Sequence, residues 1–132
     1  MADWEDVRRC ALGLPEVSEA PGDGHSWRVK GKLFVWERPL RKADLAALGD
    51  AAPAGPILGV MVADLEEKAA ILAEEPDVFF TTPHFNGYPA VLARLQTMPV
   101  EMLEVVAVDA FLARAPKRLA KEYLAGRPTG AR

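Results

Sequence analysis

His25 and His84 are the two histidines of this 132-residue sequence, and histidine is the side chain whose ordinary pKa lies near neutrality, so general acid or base work is sought there first. Both flank predicted strands. With Trp27, Tyr88 and Arg94 they make a set that combines stacking surfaces, polar groups and a permanent cation, the make-up of a pocket for an aromatic or anionic small molecule. The alternative for each histidine is a hydrogen-bonded structural role. Other chemistries find no foothold. Ser18 and Ser26 lie in no nucleophile-elbow sequence. The lone Cys10 falls on the apolar stripe of a predicted helix, where a thiol acts as a small hydrophobe. One cysteine and two histidines cannot build a zinc cage, and neither the Walker sequence nor the dinucleotide glycine fingerprint is present. Glu66-Glu67 and Glu74-Glu75 pair carboxylates, but on the helix face opposite Leu65, Ala69 and Leu72, so they read as a solvated face and not a metal site. The sequence therefore predicts no catalytic set, no metal and no cofactor.

Charge offers a second kind of site. The chain is acidic, with a formal net charge of −3 and a pI of about 5.4, yet residues 25–42 hold Arg28, Lys30, Lys32, Arg38, Arg41 and Lys42 against Glu37 alone. A local basic patch acts within about 8 Å whatever the distant charge. On a β-hairpin such a patch can lie along a phosphate backbone or enter a groove, with Lys117 and Arg118 adding phosphate contacts. Binding of that kind is strongly salt dependent. The competing explanation is that lysines on strands protect a sheet edge.

The elements that must position these residues follow from periodicity and punctuation. Asp3 caps a helix with Asp6 at its third position and Val7, Cys10, Ala11 and Leu14 on one face. Residues 15–24 carry turn formers and read as a loop. Ser26 to Lys30 alternates, Gly31-Lys32 turns, and Leu33 to Arg38 returns, which predicts a β-hairpin. Residues 41–49 form a short helix or an irregular connection. Ile57 to Ala63 is an apolar run buried on both faces. Asp64 caps a second clear helix, with the apolar stripe Leu65, Ala69, Leu72, which Pro76 stops. Residues 78–82 and 90–95 are further strands, joined through Asn86-Gly87, the strongest turn signal in the chain. Pro99 opens a helix whose Leu103, Val106, Ala110 and Phe111 face the core, and a last helix spans about 117–124. The order predicts one α+β domain over residues 1–125, with an antiparallel sheet of about five strands covered on one face by helices; residues 126–132 read as a fraying tail.

Two stretches resemble a known family. Gly24-His25-Ser26-Trp27-Arg28-Val29-Lys30-Gly31-Lys32-Leu33-Phe34 and Phe79-Phe80-Thr81-Thr82-Pro83-His84-Phe85-Asn86-Gly87-Tyr88-Pro89-Ala90-Val91-Leu92 are similar to the motifs of the MmcQ/YjbR family of small bacterial proteins, and Ala115-Pro116-Lys117-Arg118-Leu119 resembles its C-terminal signature. The resemblance implies a single CyaY-like α+β domain, sometimes described as a double wing, and a label of DNA binding that rests on analogy of fold. It implies no catalytic residues. The expectation is thus DNA bound through the basic hairpin, the alternatives being a small-molecule ligand in the aromatic pocket or a protein-interaction module. The chain opens acidic and has no apolar run of membrane-spanning length, so a cytoplasmic monomer or homodimer with no membrane partner is expected.

Overall fold

The structure, a computed structural model, describes residues 1–20 and 25–126. Helix α1 (Trp4–Leu12) begins as its sequence requires: the Asp6 N–H donates to Asp3 Oδ1 and the Asp3 N–H to Asp6 Oδ2, both at 3.0 Å. Strands β1 (Val17–Glu19), β2 (Ser26–Val29) and β3 (Lys32–Glu37) lead to a two-turn helix α2 (Lys42–Leu48) and strand β4 (Ile57–Met61). Helix α3 (Leu65–Glu74), strands β5 (Phe79–Phe80) and β6 (Ala90–Arg94), and helices α4 (Val100–Arg114) and α5 (Lys117–Ala125) complete the chain. All strand pairs are antiparallel, in the order β1-β2-β3-β4-β6-β5. The architecture is α+β, as expected, with one strand more than the five read from the pattern. The extra strand, β1, lies in the expected loop; three residues are too few for an alternation to register, and it forms because Val17 finds Val29 across the ladder. Of the predicted fraying tail only Gly126 falls among the described residues.

The β2–β3 hairpin turns one residue earlier than expected. Lys30 and Gly31 occupy the turn with φ of +50° and +83°, and Lys32 already pairs with Val29. Two left-handed residues give the twist that matches the flanking strands, and glycine makes the second of them free of strain. The ladder then slips, since Trp27 opposes Val35 while Arg28 opposes Leu33. This bulge sends both Phe34 and Val35 into the same core and turns both Leu33 and Trp36 to the other face.

Two cores result, one on each face of the sheet. On the first face, α1, α3, α4 and α5 bury Trp27, Val29, Phe34, Leu58, Val60 and Phe111. α4 behaves as its periodicity requires, with Leu103, Ala110 and Phe111 buried. α3 does not: Leu65 is 50% exposed, while Ile71 and Leu72 pack on the core and Lys68 is buried. A stripe containing a lysine is invisible to an apolar pattern, and Leu65, as the first helical residue, has no preceding turn to lie against. The second face buries Ile57, Met61, Phe80, Phe85, Ala90 and Leu92 beneath α2 and the 83–89 loop, with Trp36, Leu40 and Leu48 at its border.

Trp36 lies on this second face directly over Gly59, its cross-strand partner; a Cβ built on Gly59 would sit 2.4 Å from the indole. Any side chain there must lift the ring. Gly59→Ala is expected to cost about 1–3 kcal/mol of stability by overpacking, read as a lower urea midpoint with an unchanged denaturant slope.

Candidate functional site

The second face carries a cleft of about 530 Å³ between β3, the start of α2 and the 83–89 loop. Its floor and walls are Leu33, Trp36, Phe85 and Tyr88, and its polar groups come from Arg38, Arg41 and His84. Each part has a local cause. The bulge places Leu33 and Trp36 on this side of the sheet. The loop that carries His84 and Tyr88 is shaped by Asn86 (φ −59°, ψ 129°) and Gly87 (φ +75°), with the Tyr88 N–H donating to the Phe85 carbonyl at 3.0 Å, a type II turn that needs glycine at its third position.

Buried cations fasten the cleft. Arg38 is 5% exposed and pairs with Asp44, itself 2% exposed, at 3.0 Å. Its guanidinium stands 5.2 Å from the centre of the Phe85 ring and also donates to the Pro39 carbonyl. The same Asp44 oxygen accepts the Arg41 N–H at 2.8 Å, so one carboxylate holds β3, the start of α2 and, through Phe85, the loop. Burial pushes the Asp44 carboxyl up, but the Arg41 N–H and the hydrogen-bonded charge of Arg38 outweigh it and hold the carboxyl below its ordinary range. From the far side, Lys68 of α3 donates to the carbonyls of Phe85 and of Tyr88, the latter at 2.8 Å. With carbonyls and no carboxylate as partners, its ammonium is held below its usual pKa by burial.

The residues singled out in the sequence divide in unexpected ways. His84 and Tyr88 share the cleft; His25, Trp27 and Arg94 do not. His25 belongs to the first face, where its ring stacks 5.1 Å from Trp4 and 5.8 Å from Trp27 and its N–H donates to Glu37 at 3.2 Å. Trp27 is fully buried, its indole N–H donating to Glu19 at 3.0 Å. Arg94 stands 4.6 Å over Phe80 and donates to the Pro76 carbonyl at 3.2 Å. The five residues expected to form one pocket therefore lie in three places, because alternation sent Trp27 and His25 to one face while the second loop lies on the other.

The basic set divides too. Arg38 is consumed by Asp44 and buried, so it cannot meet a phosphate. Lys30 lies 3.7 Å from Glu16. Arg28 pairs with Leu33 and projects on the cleft side, whereas Lys32 pairs with Val29 on the opposite side. Arg41 lines the cleft with Lys42 beside it, both exposed. Lys117 and Arg118 are exposed at the start of α5, whose Leu119 and Tyr123 join the first-face core. The hairpin is thus no continuous basic ribbon. Trp36, a cleft wall, carries no signal in the local sequence, since only the bulge sets which way it points. Cys10 is partly buried, and burial raises its thiol pKa. Among the described residues no group of three or more His, Cys, Asp or Glu is placed to hold a metal, and no helix is long and apolar enough to cross a membrane.

Comparison with known proteins gives consistent relatives. The sequence model described as YjbR matches residues 12–113. Uncharacterised proteins of Mycobacterium bovis and Mycobacterium tuberculosis are each 52% identical over 129 residues, covering 95% of this chain and 98% of the relative. Among solved structures, the Deinococcus radiodurans protein DR2400, with a DUF419 domain, has the same fold at a TM-score of 0.63 and 20% identity, over 100% of this chain and 96% of that one.

The lowered Asp44 pKa fixes a pH dependence. A carboxyl depressed by folding stabilises the native state above its unfolded value of about 4, and that stabilisation is lost as pH falls through the native value. Acidification below about pH 4 is therefore expected to destabilise the protein. Asp44→Ala should cost about 3 kcal/mol at pH 7 by stranding Arg38 and should flatten this acid limb, as measured by urea titrations from pH 7 to pH 2.

Proposed function

The chain belongs to the YjbR family, and on that footing we propose that it binds a flat, negatively charged ligand in the cleft of the second sheet face. The observation that carries this reading is the convergence of Trp36, Tyr88, His84 and Arg41 around one concavity. Tyr88 is 46% exposed beside Phe85, so part of its ring is open to a stacking partner. The rings supply stacking surfaces, Arg41 supplies a cation, and Arg28 adds a second on the same side of the sheet. We read the role as recognition and not turnover, because stacking faces and cations are what this set supplies.

A ring bearing an anion is the chemistry of a nucleotide, whether free or within a single strand. Stacking on exposed aromatics beside cations is how single-stranded nucleic acid is commonly held. Duplex DNA bound mainly through phosphates is the second reading; it is favoured by Arg28, Lys32, Arg41 and Lys42, which have no ion-pair partner among the described residues. It is weakened by the loss of Arg38 to the interior and by the split of Arg28 and Lys32 between two faces.

The test is a titration with adenosine monophosphate, a labelled oligodeoxyadenylate strand and a labelled duplex, each at low and near-physiological salt. The cleft reading expects saturable binding of the mononucleotide or the strand. Tyr88→Ala and Arg41→Gln should each weaken it about tenfold, near the 1–3 kcal/mol that one stacked base contributes, while Lys32→Ala leaves it unchanged. Duplex binding that falls steeply with salt, depends on Lys32 and ignores Tyr88 would replace this reading with the phosphate one. An absence of binding in all three arms would refute both.

A further inference from the structure

On the opposite face of the sheet, α3 and α4 flank a second concavity, a groove of about 340 Å³. Its floor is the sheet, through Val62, Phe79 and Val91, and its walls are Ile71 of α3 and Val106 and Ala110 of α4. The cause is topological. α4 packs along β3 and β4, and α3 packs beside β5 and β6, so the two helices stand on different parts of the sheet and leave a gap between them over its apolar surface.

The polar groups at this groove are carboxylates: Glu67 from α3 and Asp109 from α4. Both are exposed, and neither side chain has a hydrogen bond or ion pair among the described residues. Lys68, the cation nearest in sequence to Glu67, is buried and turned to the carbonyls of the 83–89 loop. Desolvation by its neighbours raises the Asp109 carboxyl pKa. An apolar floor with two unpaired anions at its margin is complementary to one kind of molecule, a positive charge carried on an apolar body.

We propose that the groove between α3 and α4 binds a small hydrophobic organic cation, an ammonium group on an aromatic or branched aliphatic body. The apolar body lies on Val62, Phe79 and Val106, and the ammonium meets Asp109 and Glu67. The volume lies in the range of small-ligand sites. This site is separate from the cleft, since Phe79 and Val91 belong to the first-face core and Phe85 and Leu92 to the second. Its ligand also has the opposite charge.

Three naphthalene probes of similar size test it: 1-naphthylmethylamine, its neutral alcohol and 1-naphthoate, each titrated into the full chain with amide positions followed by nitrogen-15 NMR. The amine is expected to shift the amides of Val62, Ile71, Val106 and Asp109 and to bind at least about threefold more tightly than the alcohol, with the acid weakest. The double variant Glu67→Gln, Asp109→Asn, which alters only exposed side chains, should remove that preference and keep the alcohol's affinity. Ala113→Phe, on the same wall, should block both. Equal binding of amine and alcohol, shifts confined to the 83–89 loop, or no shift at all would overturn the proposal. So would groove amides that move on dilution of the protein and ignore the amine, which would place a second copy of the chain there.

Discussion

The Asp44 carboxylate holds Arg38 inside the second face of the sheet, and the rest of that face depends on it. A sheet with apolar residues on both sides must be covered twice, and this chain has long helices for one side only. The other side receives α2, whose Ala43, Ala46 and Ala47 are small and exposed, and a loop with one buried aromatic, Phe85. So little apolar surface cannot fix the cover by burial alone. The Arg38–Asp44 pair joins strand, helix and loop at one point, and Lys68 ties the loop to α3 from the other end. Buried charges contribute less to stability than to geometry, because desolvation offsets much of their attraction. Here the geometry is what matters: with the loop fixed, His84 and Tyr88 line one cleft with Trp36 and Arg41.

The same arrangement explains how a protein with a net charge of −3 presents exposed cations at a cleft. Of the six cations in residues 25–42, one is buried and one is paired, yet Arg41 lines the cleft with Trp36 and Tyr88, and Arg28 lies opposite Leu33 on the same side of the sheet. A local field of this kind acts over about a Debye length, so distant acids on α3 do not cancel it. One of those acids, Glu67, lies at the other groove, where with Asp109 of α4 it sets the opposite sign. The sheet separates two concavities of contrary charge, one cut by a short cover and the other by helices that fail to meet.

Much of this was legible in the residues. The Asp3 and Asp64 caps, the hairpin around Gly31, the doubly buried β4, the Asn86-Gly87 turn and the core face of α4 are local statements, each decided within a few residues by period, cap or positive φ. Local rules reached the site less well. His84 and Tyr88 were identified, but grouped with His25, Trp27 and Arg94, since a list of chemically apt residues carries no information about which side of a sheet each faces. Arg38 was read as a surface cation because nothing near it in sequence says that Asp44 and Phe85 will enclose it. The burial of Lys68 is not legible locally, because a lysine interrupts the pattern by which buried helix faces are recognised.

The sequence by itself thus determined the class of fold, most of the elements and the types of side chain available to a site: aromatic, basic and acidic. The tertiary structure decided the grouping. A single bulge, where the register shifts between Trp27 and Arg28, turned Leu33 and Trp36 to one face, and a one-residue shift in a ladder of period two reverses every side chain beyond it. Burial then decided which charges are structural and which are free. Both depend on contacts between residues far apart in the chain, such as Lys68 with Phe85 and Tyr88, and no local pattern encodes those.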